Sequence, residues 1–174
     1  MRGSHTLHST WKCLATAIAV ALAVSLAVVA PAEAHERSNA FKQREHIKKR
    51  GKSAVGTPYR YGGTSRSGFD CSGFTRWTFD GHGKNLPRTS MDQFNLRKKS
   101  GHKRIWKRKS LKRGDLVFHK TTSARVGHVG IYLGKGKFVS TTSSEGVQVR
   151  SIWDPYYWGK RWVGGVRTPS TINR

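Results

Sequence analysis

Apolar and polar positions alternate through the second half of the chain and fall at helical spacing in the first. In Gly127-His128-Val129-Gly130-Ile131-Tyr132-Leu133, alternation puts Val129, Ile131 and Leu133 on one face and His128, Gly130 and Tyr132 on the other. The same period predicts strands at 115–119, 127–133, 137–141, 147–152 and 162–167. Gly134-Lys135-Gly136 supplies a tight hairpin between the second and third of these. Upstream, Phe74 and Thr78 follow Cys71 at helical spacing, which predicts a helix over 71–79, capped by Asp70 and ended by Gly81-His82-Gly83. Thr89-Ser90-Met91-Asp92 is a capping box with Pro87 just before it and opens a further helix. A short helix is expected near 41–55. The basic stretch 97–113 reads as a connector, with Trp106 its buried candidate. Helices followed by a run of antiparallel strands define an α+β class.

The N-terminus changes the picture of compartment. Arg2 and Lys12 precede an apolar run from Leu14 to Ala30, Pro31 is expected to break the helix, and Ala32-Glu33-Ala34 is a small-x-small cleavage signature. Residues 1–34 therefore read as a secretory signal peptide. The run is short for a full span, and Cys13 lies before it, so neither an anchor nor a lipidated cysteine is expected. The expected product is soluble and exported, to the periplasm or beyond. Its organisation would be a basic flexible lead at 35–46, one domain at 47–169 and a tail at 170–174. Loss of Arg2, Lys12 and Glu33 moves the net charge from +24 to about +23. Such a charge draws the protein to anionic cell-envelope polymers. Nucleic acid would bind it without sequence specificity. No phosphate loop implies a nucleotide, and no Cys or His spacing implies a metal, so no cofactor is expected. A monomer is expected.

Cys71 is the one cysteine beyond the signal segment. It has no partner for an intramolecular disulfide, so it is either a small buried hydrophobe or a reactive thiol. Asp70 caps the helix that Cys71 begins, and the helix dipole with its unpaired amides is expected to lower the thiol pKa. The same amides, including that of Ser72, suit an oxyanion. Of six histidines beyond residue 34, only His119 and His128 lie in strands. His128, between glycines, is the candidate base; His119, at a strand end, reads as a surface residue. A third group should orient the imidazole. Ser140 shares the face of His128 if the hairpin loop has three residues and the opposite face if it has two, with Thr142 the fallback. Asp70 reads as a cap rather than an acid. Arg88 is a candidate for a substrate carboxylate, or else a solvated arginine before a helix. Tyr156, Tyr157 and Trp158 wall a cleft or pack its rim.

The strings Gly56-Thr57-Pro58-Tyr59-Arg60-Tyr61-Gly62-Gly63 and Asp70-Cys71-Ser72-Gly73-Phe74 resemble the catalytic core of the NlpC/P60 cysteine peptidases. The resemblance continues through Leu86-Pro87-Arg88-Thr89-Ser90, Gly114-Asp115-Leu116-Val117-Phe118 and His128-Val129-Gly130-Ile131-Tyr132. It ends with Tyr157-Trp158 and Gly165-Val166-Arg167. It implies a papain-like fold in which N-terminal helices pack on an antiparallel sheet of five to six strands. It also implies hydrolysis of amide bonds in peptidoglycan stem peptides, at D-γ-glutamyl–diaminopimelate or a cross-link. Cys71 would be the nucleophile, His128 the base, and Tyr59 would lie near the oxyanion. Members commonly carry a second histidine where this chain has Ser140, and His119 stands where a phenylalanine is implied. Two rival readings follow: a weakly catalytic wall-binding protein on the same scaffold, and a cationic secreted protein that disrupts membranes or polyanions.

Overall fold

Residues 10–99 and 101–169 are described by a computed structural model; the n-region residue Arg2 and the tail 170–174 lie outside the described residues. The chain divides into two units, 1–39 and 40–174. The first is helical from Thr10 onward. It forms the start of a long helix, α1 (Thr10–Ser53), that runs through Pro31 rather than ending there. A proline removes one backbone donor from a helix interior, and the helix nevertheless continues past it. The segment expected to be a flexible lead, 35–46, is helical as well. Among the described residues no helix is long and apolar enough to cross a membrane.

In the second unit α1 is held by its apolar face and by ion pairs. Ile47, Gly51 and Ala54, at helical spacing, are buried. Arg44 and Glu45 reach Asp115 and Arg113 at 3.4 and 2.7 Å. Two short helices follow, α2 (Cys71–Asp80) and α3 (Ser90–Asn95). Both caps are of the expected kind. Asp70 Oδ1 accepts from Gly73 N at 2.7 Å, and Thr89 Oγ1 accepts from Asp92 N at 3.1 Å.

The strands are β1 (Thr64–Ser65), β2 (Gly68–Phe69), β3 (Lys103–Ile105), β4 (Leu116–His119), β5 (His128–Gly134), β6 (Lys137–Thr142), β7 (Gly146–Ser151) and β8 (Trp162–Arg167). The first two form a small ladder. The other six make an antiparallel sheet in the order β3-β8-β4-β5-β6-β7. The five expected strands are all present, and β3 is an addition inside the expected connector. Trp106, just beyond β3, is 60% exposed rather than buried. Alternation turns Ile105 inward and Trp106 outward, where the Arg104 guanidinium lies 4.2 Å from its ring centre.

Both faces of the sheet are covered. One packs Leu116, Phe118, Val129, Ile131 and Val139 against Phe74, Phe79 and Phe94 of the helices. The other packs Val117 and Phe138 with Ile105, Leu111, Ile152 and Trp158, drawn from β3 and from the segments before β4 and β8. Burying each large side chain contributes about 1.5–3 kcal/mol. This second layer corrects the surface reading of His119, which ends β4 with no exposure at all.

Candidate active site

The segment before α2 fixes the thiol. Asp70 N donates to Gly63 O at 3.1 Å, and Gly62 N donates to Asp70 Oδ2 at 3.1 Å, so the loop wraps the first turn of α2. Gly73 is required by this wrapping: a Cβ there would sit 2.0 Å from the Gly63 carbonyl oxygen. Arg88 donates from one nitrogen to Asp70 Oδ1 and Ser72 Oγ, both at 3.0 Å, and from the other to Asp70 Oδ2 at 2.5 Å. The candidate for a substrate carboxylate is thus engaged with the cap of α2. Burial raises the Asp70 pKa, but hydrogen bonds from Arg88, Gly73 and Ser72 outweigh it, so the carboxyl lies below its ordinary value.

A residue the sequence reading passed over completes this clamp. Gln93, fully buried on α3, donates Nε2 to Ser72 O at 3.1 Å and to Pro87 O at 2.9 Å. Its Oε1 accepts from Thr75 Oγ1 at 2.7 Å. A buried amide satisfied on both ends locks α3 to the first turn of α2. In the sequence it is a glutamine between Met91 and Phe94 in a short helix, which spacing alone does not separate from a surface amide.

Cys71 is half-buried and is the free cysteine among the described residues. It lines a cleft of about 290 Å³ with Tyr59, Thr122, His128, Thr141 and Trp158. The sequence-predicted nucleophile and base therefore meet in one cleft. Burial pushes the thiol above its ordinary value, with the Asp70 charge adding to the rise. The amide of Val129, next to His128, and those of Ser72 and Cys71 itself pull the other way without offsetting it. The expectation of a thiol lowered by the helix terminus is corrected: desolvation of the sulfur by the packing around it exceeds the amide field. Burial lowers His128 to about 4, so its imidazole is neutral near pH 7. Tyr59, raised chiefly by burial and then by Cys71 and Asp70, keeps its hydroxyl proton.

The hairpin settles the face of Ser140. Gly134 pairs with Lys137, which leaves a two-residue turn, but the register shifts between Tyr132 and Gly134. Ile131 therefore faces Val139, and a Cβ built on Gly130 would lie 2.9 Å from Ser140 Cβ. The bulge restores the register of a three-residue loop, and Ser140 shares the face of His128. Its hydroxyl nevertheless has no hydrogen-bond partner, and neither does His128 Nε2. Gly130 and Gly127 leave room for protein: Val139 O and Phe138 crowd the first, Thr121 and Thr122 the second. Among the described residues no cluster of three metal-ligating side chains occurs.

A thiol at a helix N-terminus, sharing a cleft with a strand histidine on a helix-backed antiparallel sheet, defines a recognisable class of protein. Residues 56–167 match the NlpC/P60 family, and the chain belongs to that family. It is similar to the murein DD-endopeptidase MepH of Escherichia coli K12, 39% identical over 124 residues, which cover 68% of this chain and 44% of that protein. It is 40% identical over 124 residues to the peptidoglycan DL-endopeptidase CwlO of Bacillus licheniformis, covering 67% of this chain and 26% of that one. Among solved structures, the peptidoglycan hydrolase RipB of Mycobacterium tuberculosis superposes with a TM-score of 0.60 at 30% identity, covering 78% of this chain and 67% of that chain. The chain spans about half the length, or less, of the curated relatives it matches.

Proposed function

We propose that this chain is an exported thiol peptidase that cuts amide bonds in peptidoglycan stem peptides. The observation that carries the reading is the meeting of Cys71 and His128 in one cleft, with α2 amides beside the sulfur. The names of the relatives, endopeptidases of murein and peptidoglycan, supply the substrate class. The bond is D-γ-glutamyl–diaminopimelate or a cross-link to diaminopimelate.

The chemistry follows from the protonation states. At rest the thiol and the imidazole are both neutral, because burial opposes charge on each. His128 then acts as general base during attack: it takes the thiol proton as the sulfur bonds to the scissile carbonyl carbon. The carbonyl oxygen becomes an oxyanion, held by amides of the α2 N-terminus and the Tyr59 hydroxyl. The C–N bond breaks as the imidazolium gives its proton to the leaving amine. Water, deprotonated by His128, then attacks the thioester, and the second product leaves with Cys71 reprotonated. Arg88, Asp70 and Gln93 hold the sulfur in place and do not touch the reacting atoms. The net charge of about +23 beyond residue 34 concentrates the protein on the anionic wall.

The test is digestion of diaminopimelate-type sacculi by the full chain beside Cys71→Ala and His128→Ala, with fragments read by mass spectrometry. New stem-peptide fragments from the unaltered protein alone are expected, and their masses identify the bond. Equal fragment patterns from all three proteins would refute the reading. One observation favours a second reading, a weakly catalytic wall-binding protein: Ser140 makes no hydrogen bond to His128. That reading predicts sacculus binding without fragments.

A further inference from the structure

His119 lies directly across the ladder from His128, as its Cα partner between β4 and β5. The two rings stand on the same face of the sheet with centroids 6.3 Å apart. His119 is clamped from three sides: Phe138 stacks on it at 5.1 Å, and Trp158 and Trp162 meet it edge-on at 5.1 and 6.0 Å. Trp158 also packs on His128 at 4.9 Å, so one indole braces both imidazoles. Neither nitrogen of His119 has a hydrogen-bond partner, and both are buried, as is Nε2 of His128. Of the two nitrogens of His128, Nε2 alone is in that condition, which leaves Nδ1 to meet the cleft. Polar atoms enclosed by aromatic rings are costly unless they serve one another.

We propose that His119 is the positioning residue for His128, supplying from β4 the orienting histidine that this chain lacks at Ser140. The inference rests on the Cys71/His128 reading above. A general base facing Cys71 through Nδ1 needs its proton on Nε2, and that N–H needs an acceptor behind it. With ring centroids 6.3 Å apart, nitrogens turned toward one another would stand roughly 4 Å apart, a gap that a small ring shift closes to hydrogen-bond length. Ser140 Oγ, on the same face, is likewise buried without a partner. His119 suits the task because it stays neutral. Burial lowers it to about 3, with the titratable His128 ring and the Arg108 guanidinium adding to the shift. A neutral imidazole both accepts and donates, whereas a phenyl ring at this position would do neither.

The test compares the full chain with His119→Phe and His119→Gln. The phenyl ring keeps the stack on Phe138 and Trp158 but removes both nitrogens; the carboxamide restores an acceptor and a donor. Two readouts are used: kcat and KM on a stem-peptide substrate, and the pH profile of Cys71 alkylation by iodoacetamide. His119→Phe is expected to lower kcat by roughly tenfold or more with KM unchanged, and to slow alkylation near pH 7 by a similar factor. His119→Gln should recover most of both. Cooperative unfolding of both variants at pH 7.5 shows that the comparison is between folded proteins. An unchanged kcat and alkylation profile in His119→Phe overturns the inference, as does equal loss in the phenylalanine and glutamine variants. His128→Ala separates the two layers of the argument. If it too leaves alkylation unchanged, the Cys/His reading itself fails; if it alone slows alkylation, only the role of His119 fails.

Discussion

Lowering the pH from 7.5 to 5 should destabilise this protein through its two buried imidazoles, and His119→Phe should remove about half of the effect. In the unfolded chain both histidines titrate near 6.5, whereas burial holds His119 at about 3 and His128 at about 4 in the fold. Between those values the unfolded chain binds protons that the folded chain refuses. Stability from these groups is therefore complete above pH 6.5, falls as the pH drops below it, and stops falling only at about 4 and about 3. At pH 5, which is 1.5 units below the unfolded value, each histidine costs about 2 kcal/mol, or about 4 kcal/mol together. Asp70 and Glu45, both lowered, lose their contributions only below their ordinary values of 3.8 and 4.5, so they act in a more acid range. His82, also lowered, is present in both proteins and cancels in the difference. Urea unfolding followed by tryptophan fluorescence at pH 7.5, 6.5, 5.5 and 5.0 reads the quantity directly. The two proteins should diverge below pH 6.5, with the variant's midpoint losing about 1 M less urea by pH 5. Parallel curves would refute the assignment of the acid sensitivity to His119.

Three further outcomes are expected. Asp115→Ala should cost about 3 kcal/mol or more in urea unfolding, because its buried carboxylate binds Arg167 at 2.7 and 2.8 Å, accepts from Lys112 N at 2.7 Å and faces Arg44. Gly73→Ala should remove hydrolysis while far-ultraviolet circular dichroism stays near that of the unaltered chain, since a Cβ 2.0 Å from Gly63 O must displace the loop that seats Cys71. Arg88→Gln should lower kcat and leave KM for an anionic stem peptide unchanged, because its nitrogens are engaged with Asp70 and Ser72; a selective rise in KM would return Arg88 to the substrate.

Local signals were legible in the chain where one segment contains its own answer. Asp70 and Thr89 cap the helices that follow them because a cap needs only the next three residues. The five strands read from alternation are present because period two is a property of the strand itself. The cysteine and the strand histidine stood out because few residue types can supply a nucleophile and a base. Tertiary structure decided what depends on neighbours distant in sequence. Ser140 reached the face of His128 through a bulge that loop length does not reveal. The thiol pKa lies above its ordinary value because packing buries the sulfur, a collective effect that outweighs the helix terminus. Arg88 and Gln93 took their roles from carbonyls and a carboxylate more than a dozen residues away in their main contacts. His119 shows the difference most clearly. At the end of a strand it reads as a surface residue, yet Phe138, Trp158 and Trp162 enclose it beside His128. A sequence records which residues a strand carries on each face, but what covers that face is fixed only when the rest of the chain has folded over it.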